Sequence, residues 1–151
     1  MRSPKVYVRD SGLVHTLLGL GDADAVLGHP VAGASWEGFV IENLLTLAPE
    51  GCQGWFYRTA AGAEMDLVLE WPGQQRWAIE VKRSLNPSLG KGFHQARADL
   101  QPECTFVVIP VEQGFPLADG VEAVGLAELA ARLRERFEPM GSEPGQTAPS
   151  Y

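Results

Sequence analysis

The alternation of apolar runs and turn residues predicts a mixed α/β domain, a central β-sheet with helices on both faces. Three observations carry this reading. The elements run helix, three strands, helix, two strands, helix. Thr105-Phe-Val-Val-Ile109 is a continuous β-branched run of the kind buried inside a sheet. Trp36–Ala48 and Leu126–Phe137 carry apolar stripes that can lie on such a sheet. With 151 residues, 45% of them hydrophobic, the chain fits one domain with a real core.

Lys5-Val-Tyr-Val-Arg9 alternates and reads as a strand, followed by a turn at Asp10-Ser-Gly12. Leu13–Leu18 begins a short helix that Gly19 and Gly21 end, and residues 22–34 read as a loop around a helical turn at Ala23–Leu27. This opening cannot bury its own apolar faces and reads as the end of something larger. Ser35 can cap a helix from Trp36 to Ala48, with Trp36, Phe39, Val40, Leu44 and Leu47 as its stripe and Pro49-Glu-Gly51 as its stop. Gly54–Arg58 is a strand and Thr59–Gly62 a turn. Glu64–Glu70 and Trp77–Lys82 form a β-hairpin. A loop at Asn86–Gly90 leads to a helix at Gly92–Leu100, then strands at Thr105–Ile109 and Val121–Val124. Leu126, Leu129, Ala130 and Leu133 share one face of the last helix. Beyond Pro139 the chain is rich in Gly, Pro, Ser and Thr, and disorder is expected over 139–151.

A net charge of −7 excludes a general nucleic-acid-coating protein. From Arg76 to Arg97, however, Arg76, Lys82, Arg83, Lys91 and Arg97 face the single acid Glu80. Such a basic rim can hold phosphates, though an ordinary solvated surface accounts for the same charges. No apolar run reaches the roughly 18 residues of a membrane span. No apolar segment of a signal peptide follows Met1-Arg-Ser-Pro-Lys5. Cys52 and Cys104 match no zinc spacing, so reduced thiols and a cytoplasmic location are expected.

The hairpin holds the chemistry. If its strands pair symmetrically about Gly73, Asp66 lies opposite Glu80 and Glu64 opposite Lys82. Side chains alternate along a strand, so these four share one face, and Met65, Leu67, Leu69, Ile79 and Val81 take the core face. Directly opposed carboxylates have Cβ atoms roughly 5 Å apart and repel each other. A divalent cation relieves that repulsion, and oxygen ligands suit Mg²⁺ or Mn²⁺. Asp66 and Glu80 would then hold the metal, while Lys82 would orient a water or stabilise charge developing on a phosphate. The alternative is an alternating charged strand face with Glu64–Lys82 and Arg–Glu pairs, which carries no chemistry. On the preceding helix, Glu37 lies roughly 80° from the centre of the apolar stripe and Glu42 roughly 140°. Glu37 can therefore look toward Asp66 and Glu80 as a third ligand, or merely complement the helix dipole. Glu42 points toward solvent.

A helix bearing Glu, then a strand, Asp and Glu-x-Lys resembles the PD-(D/E)XK nuclease superfamily, which includes restriction endonucleases and archaeal Holliday-junction resolvases. Gly33-Ala-Ser-Trp-Glu37 is similar to the Gly-x-x-x-Glu of resolvase-like members. Tyr57-Arg58 and Glu64-Met-Asp66 stand where those proteins carry an Arg and the metal-binding Asp, with Met65 replacing the usual Pro. Ile79-Glu80-Val-Lys82 fits the core motif. More widely, Lys5–Leu13, Trp36–Glu42, Tyr57-Arg58, Glu64–Asp66 and Glu80–Lys82 resemble the C-terminal domain of prokaryotic AAA-type ATPases.

The resemblance implies a restriction-endonuclease-like fold with a central mixed β-sheet flanked by helices. It implies residues 1–30 as the remnant of a winged-helix-like link and 31–138 as the nuclease-like domain. It further implies Mg²⁺- or Mn²⁺-dependent hydrolysis of DNA, with Glu37, Asp66 and Glu80 as ligands and Lys82 as the catalytic amine. Glu64, Arg58, Glu42 and Gln95, with His94 beside it, are supporting candidates, though residues such as Gln95 and His94 are commonly plain helix surface. No Gly-x-x-x-x-Gly-Lys-Ser/Thr occurs in the sequence, so ATP binding is expected from a separate ATPase domain and not from this chain. A catalytically inactive module that binds DNA or protein and regulates the ATPase is the alternative.

Overall fold

The structure is a computed structural model and describes residues 32–137. The expected strand at Lys5–Arg9, the helix at Leu13–Leu18, the linking region 1–30 and the tail 139–151 lie outside the described residues. The elements are α1 (Ala32–Leu47), β1 (Gln53–Arg58), β2 (Glu64–Trp71), β3 (Gln75–Val81), α2 (Lys91–Leu100), β4 (Cys104–Val108), β5 (Phe115–Ala118), β6 (Val121–Val124) and α3 (Leu126–Phe137). The six strands form one mixed sheet in the order β1-β2-β3-β4-β6-β5. β1, β2 and β3 are antiparallel neighbours, β4 runs parallel to both β3 and β6, and β5 closes the far edge antiparallel to β6.

Each face of the sheet is covered. On one side Val40, Ile41 and Leu44 of α1 and Leu129 and Leu133 of α3 pack on Leu67, Leu69, Trp71, Trp77, Ile79, Val81, Phe106 and Val108. On the other, Phe93, Ala96 and Leu100 of α2 pack on Met65, Val68, Ala78, Val107 and Ala123. The helix-on-both-faces arrangement follows from the chain order. β4 must return parallel to β3, and a parallel return needs a crossover, here α2. Gly92 lets α2 come close to the sheet, because a Cβ there would overlap the Gly62 carbonyl oxygen.

Three differences from the sequence-based expectation have physical reasons. α1 begins at Ala32, so Ser35 lies inside the helix rather than capping it. β5 has no counterpart among the expected strands. Its run Phe115-Pro-Leu-Ala118 is short, mostly exposed and carries Pro116, which an edge strand tolerates because one row of its amides needs no partner. Met65 packs on the α2 side, opposite to Leu67 and Leu69. A register shift between Trp55 and Tyr57 sets two steps of β1 against three of β2, from Val68 to Met65. This β-bulge flips the alternation at Asp66.

Candidate functional site

The β2–β3 ladder pairs Leu67 with Ile79, Leu69 with Trp77 and Trp71 with Gln75, so it is symmetric about Gly73, as the spacing predicts. Gly73 has φ 91°, which closes the turn in a backbone conformation suited to glycine. The pairing ends at Leu67–Ile79. One step further along the same register, Asp66 and Glu80 would face each other. There the Asp66 carboxylate replaces a ladder bond: the Val81 N–H donates to Asp66 Oδ2 at 2.8 Å. Beyond this point β3 relies on β4, where Glu80 pairs with Val107 and the Lys82 N–H donates to the Val108 carbonyl at 2.9 Å.

The carboxylates are not on a solvated strand face. Asp66 and Glu80 are each only 7% exposed, the only charged side chains in the described core. By alternation, Glu80 shares the α2 side with Ala78 and Lys82. Lys82 Nζ lies 2.8 Å from Glu80 Oε1. Lys82 thus forms an ion pair along its own strand. Among the described residues, nothing hydrogen-bonds the buried Glu80 Oε2. An orphan buried carboxylate oxygen is costly and asks for an explanation.

Electrostatics follow from this burial. The Glu80 carboxyl is pushed up to about 7, first by loss of solvent and then by the Asp66 charge, with Lys82 offsetting part of both. Burial draws the Lys82 amine down. The hydrogen bond and charge of Glu80 outweigh it, with Asp66 and Glu37 adding to them, and hold the amine above its ordinary value. Lys82 is therefore an ammonium at neutral pH. It is a fixed cation suited to stabilising anionic charge, and not a proton acceptor.

α1 reaches this strand end through its first turns. The Trp36 indole N–H donates to the Lys82 carbonyl at 3.0 Å, a link between residues 46 positions apart. Glu37, half-buried beside it, acts on Lys82 through its charge. Among the described residues, no three His, Cys, Asp or Glu side chains gather as a group able to hold a metal ion. Glu37 is therefore not assembled into one ligand set with Asp66 and Glu80.

The remaining candidates are dispersed. Arg58 ends β1 in register with Glu64. Glu42 is half-buried on α1, and its carbonyl accepts a hydrogen bond from Thr46. Gln95 is exposed on α2, where it donates to Asp99 at 2.7 Å. It lines a 510 Å³ cleft with Thr59, Gly62 and Lys91, at the β1–β2 turn. His94 is exposed and meets the ring of Phe93 edge-on. Sequence reasoning missed Trp36 and the Val81 amide as parts of the site. The available signal was that a buried indole N–H requires an acceptor.

Comparison with known proteins adds a family. The model of a domain of unknown function, DUF4143, matches residues 32–129. An uncharacterized protein of Mycobacterium tuberculosis is 46% identical over 124 residues, which is 82% of this chain and 27% of that protein. An uncharacterized protein of Mycobacterium bovis gives the same figures, 46% over 124 residues, 82% and 27%. The chain thus spans about a quarter of the length of the curated relatives it matches. No solved structure matches it. No helix among the described residues is long and apolar enough to cross a membrane.

Proposed function

The chain belongs to the DUF4143 family, and from that premise we propose that it is a metal-dependent nuclease domain that hydrolyses phosphodiester bonds in DNA. One observation carries the proposal. Two buried carboxylates and an ammonium meet where the β2–β3 ladder stops, and one carboxylate oxygen has no partner among the described residues. The resemblance of Asp66 and Glu80-Val-Lys82 to the PD-(D/E)XK motif supports the same reading.

The residues fit Mg²⁺ or Mn²⁺. Both ions prefer oxygen donors, and a divalent charge would offset the Asp66–Glu80 repulsion that raises the Glu80 carboxyl. Asp66 and Glu80 would hold the ion, with Glu37 contributing negative charge from α1. When bound, the ion polarises a phosphate oxygen and makes a water more acidic. The chain's own residues do the rest. The Val81 amide orients the Asp66 carboxylate. Lys82 neutralises charge on the phosphate and holds Glu80 in one rotamer. Arg83, in the loop after β3, and Lys91, at the start of α2, would extend the basic rim.

A second reading is supported by the lack of a three-residue ligand group among the described residues. A nuclease-type fold with only two gathered carboxylates can serve as a DNA- or protein-binding module without cleavage. In either reading, we propose that the longer relatives join this domain to an AAA-type ATPase, which supplies ATP hydrolysis.

The test is to incubate the chain with single-stranded, duplex and branched DNA and Mg²⁺ or Mn²⁺, beside an Asp66→Ala control. Cleavage that disappears in the variant is the expected result. Cleavage that survives in Asp66→Ala, or no cleavage of any DNA form, removes the nuclease assignment.

A further inference from the structure

We infer that Trp36 is a positioning residue for Lys82, acting through the backbone rather than by touching the reacting groups. The inference rests on the nuclease reading above for its functional consequence. Its geometric basis is independent. At Lys82 the antiparallel partner β2 has already left β3. The peptide of Lys82 is held instead from two sides: its N–H donates to the Val108 carbonyl of β4 at 2.9 Å, and its carbonyl accepts the Trp36 indole N–H at 3.0 Å.

Only the second of these bonds comes from outside the sheet. It ties the strand end to the first turns of α1, the helix that carries Glu37. The indole is held in turn by its stack on Phe39, ring centres 6.2 Å apart, and by packing against the core formed by Val40, Leu44 and Val81. The two bonds fix the backbone of Lys82 and so the direction in which its side chain leaves the strand, while the ion pair with Glu80 Oε1, at 2.8 Å, fixes its far end. Loss of the indole bond would free the peptide that follows Lys82 and let that direction vary. Misplacement of a catalytic group by about 1 Å can cost on the order of 100-fold in rate.

Trp36→Phe deletes the N–H and keeps an aromatic ring on Phe39. Thr46→Val is the matched control, since it removes an exposed hydrogen bond on the same helix, from Thr46 to the Glu42 carbonyl, and leaves the indole and its packing intact. Two readouts are taken on the full chain. The first is Mn²⁺-dependent DNA cleavage, where Trp36→Phe is expected to lower kcat about tenfold with KM for DNA within about twofold, and Thr46→Val is expected to leave kcat near wild type. The second is amide hydrogen exchange without metal or DNA. Here the Lys82 and Arg83 amides are expected to exchange about tenfold faster in Trp36→Phe, with the amides of Ala78 and Val107 unchanged.

If exchange rises equally across β3 and β4, or if Trp36→Phe fails to fold, Trp36 is an ordinary core residue and the inference falls. It falls equally if exchange and kcat are both unchanged. If the wild type cleaves nothing while exchange rises only at Lys82 and Arg83, the nuclease reading fails and the Trp36–Lys82 link stands.

Discussion

The two ends of the β2–β3 hairpin obey the same register and do opposite things with charge. At the turn end, Glu70 lies directly opposite Arg76, and the two form an ion pair near the surface. Arg76 also donates to the Leu100 carbonyl at 3.3 Å. Beside them Trp71 and Trp77 meet edge-to-face with ring centres 5.3 Å apart, and the Arg136 guanidinium lies 5.3 Å and 5.5 Å from the two rings. Arg136 also reaches Glu103 at 2.7 Å and so ties α3 to the start of β4. Every charge named there has an opposite partner. At the open end, the equivalent opposed pair would be Asp66 and Glu80, two like charges, each only 7% exposed. The Lys82 ammonium pairs with Glu80 there, and the other Glu80 oxygen is orphaned among the described residues. The first end is arranged for stability. The second retains a cost that protonation of Glu80 relieves at low pH and that a bound cation would relieve at neutral pH, a pattern enriched at functional sites.

Substitutions at the two ends should therefore separate activity from stability. The largest effect is expected on cleavage. Asp66→Ala should lower the rate by about 100-fold or more, while Arg136→Ala should leave it within about threefold. Equal losses of rate in both variants would erase the distinction between the ends.

Next comes a stabilisation at the open end. The Glu80 carboxyl sits at about 7 in the fold against 4.5 for an ordinary carboxyl, so folding favours its protonated form. That contribution is fully present below about pH 4.5 and is lost as pH rises through about 7. Glu80→Gln should accordingly stabilise the metal-free protein at pH 8 by about 1–3 kcal/mol and have little effect at pH 4.5. Thermal melts at the two pH values check this. A destabilised variant at pH 8 would mean that the Lys82 pair outweighs burial.

Arg136→Ala should move the other way. It removes two ring contacts and an ion pair, at about 1–2 kcal/mol, and the loss should be nearly the same at pH 5 and pH 8. Chemical denaturation at both pH values measures it. The smallest effect belongs to Arg76→Gln. Glu70 and Arg76 are both about 30% exposed, so the pair should contribute less than about 1 kcal/mol and be weakened by salt. A loss that persists undiminished at 1 M salt would show that the bond to Leu100, and not the ion pair, is what matters.

Much of the fold was legible in order and spacing. α3 spans Leu126–Phe137 and β6 Val121–Val124, as the periodicity predicts, and α2 differs by one residue. Apolar periodicity is a local property, and these segments have strong patterns bounded by Gly or Pro. β5 was not legible, because its pattern is weak and its place is set by β6. The face of Met65 was not legible either. A bulge depends on how β1 and β2 settle against α2, and one inserted residue inverts the alternation.

For the site, the amino-acid sequence alone indicated which charges the hairpin brings to each of its two ends. Two strands that turn about Gly73 bring Glu70 opposite Arg76 and carry Asp66 and Glu80 toward each other, although the ladder itself stops one step short of them, at Leu67–Ile79. Tertiary structure alone decided what those charges experience. Burial of Asp66 and Glu80 comes from β4 and α2, which cover β3 from its edge and its back. The grip on Lys82 comes from Trp36, 46 positions earlier. Loss of solvent is a property of the surroundings rather than of the strand, and it turns an ordinary charged hairpin into a pair of strained carboxylates beside a fixed ammonium.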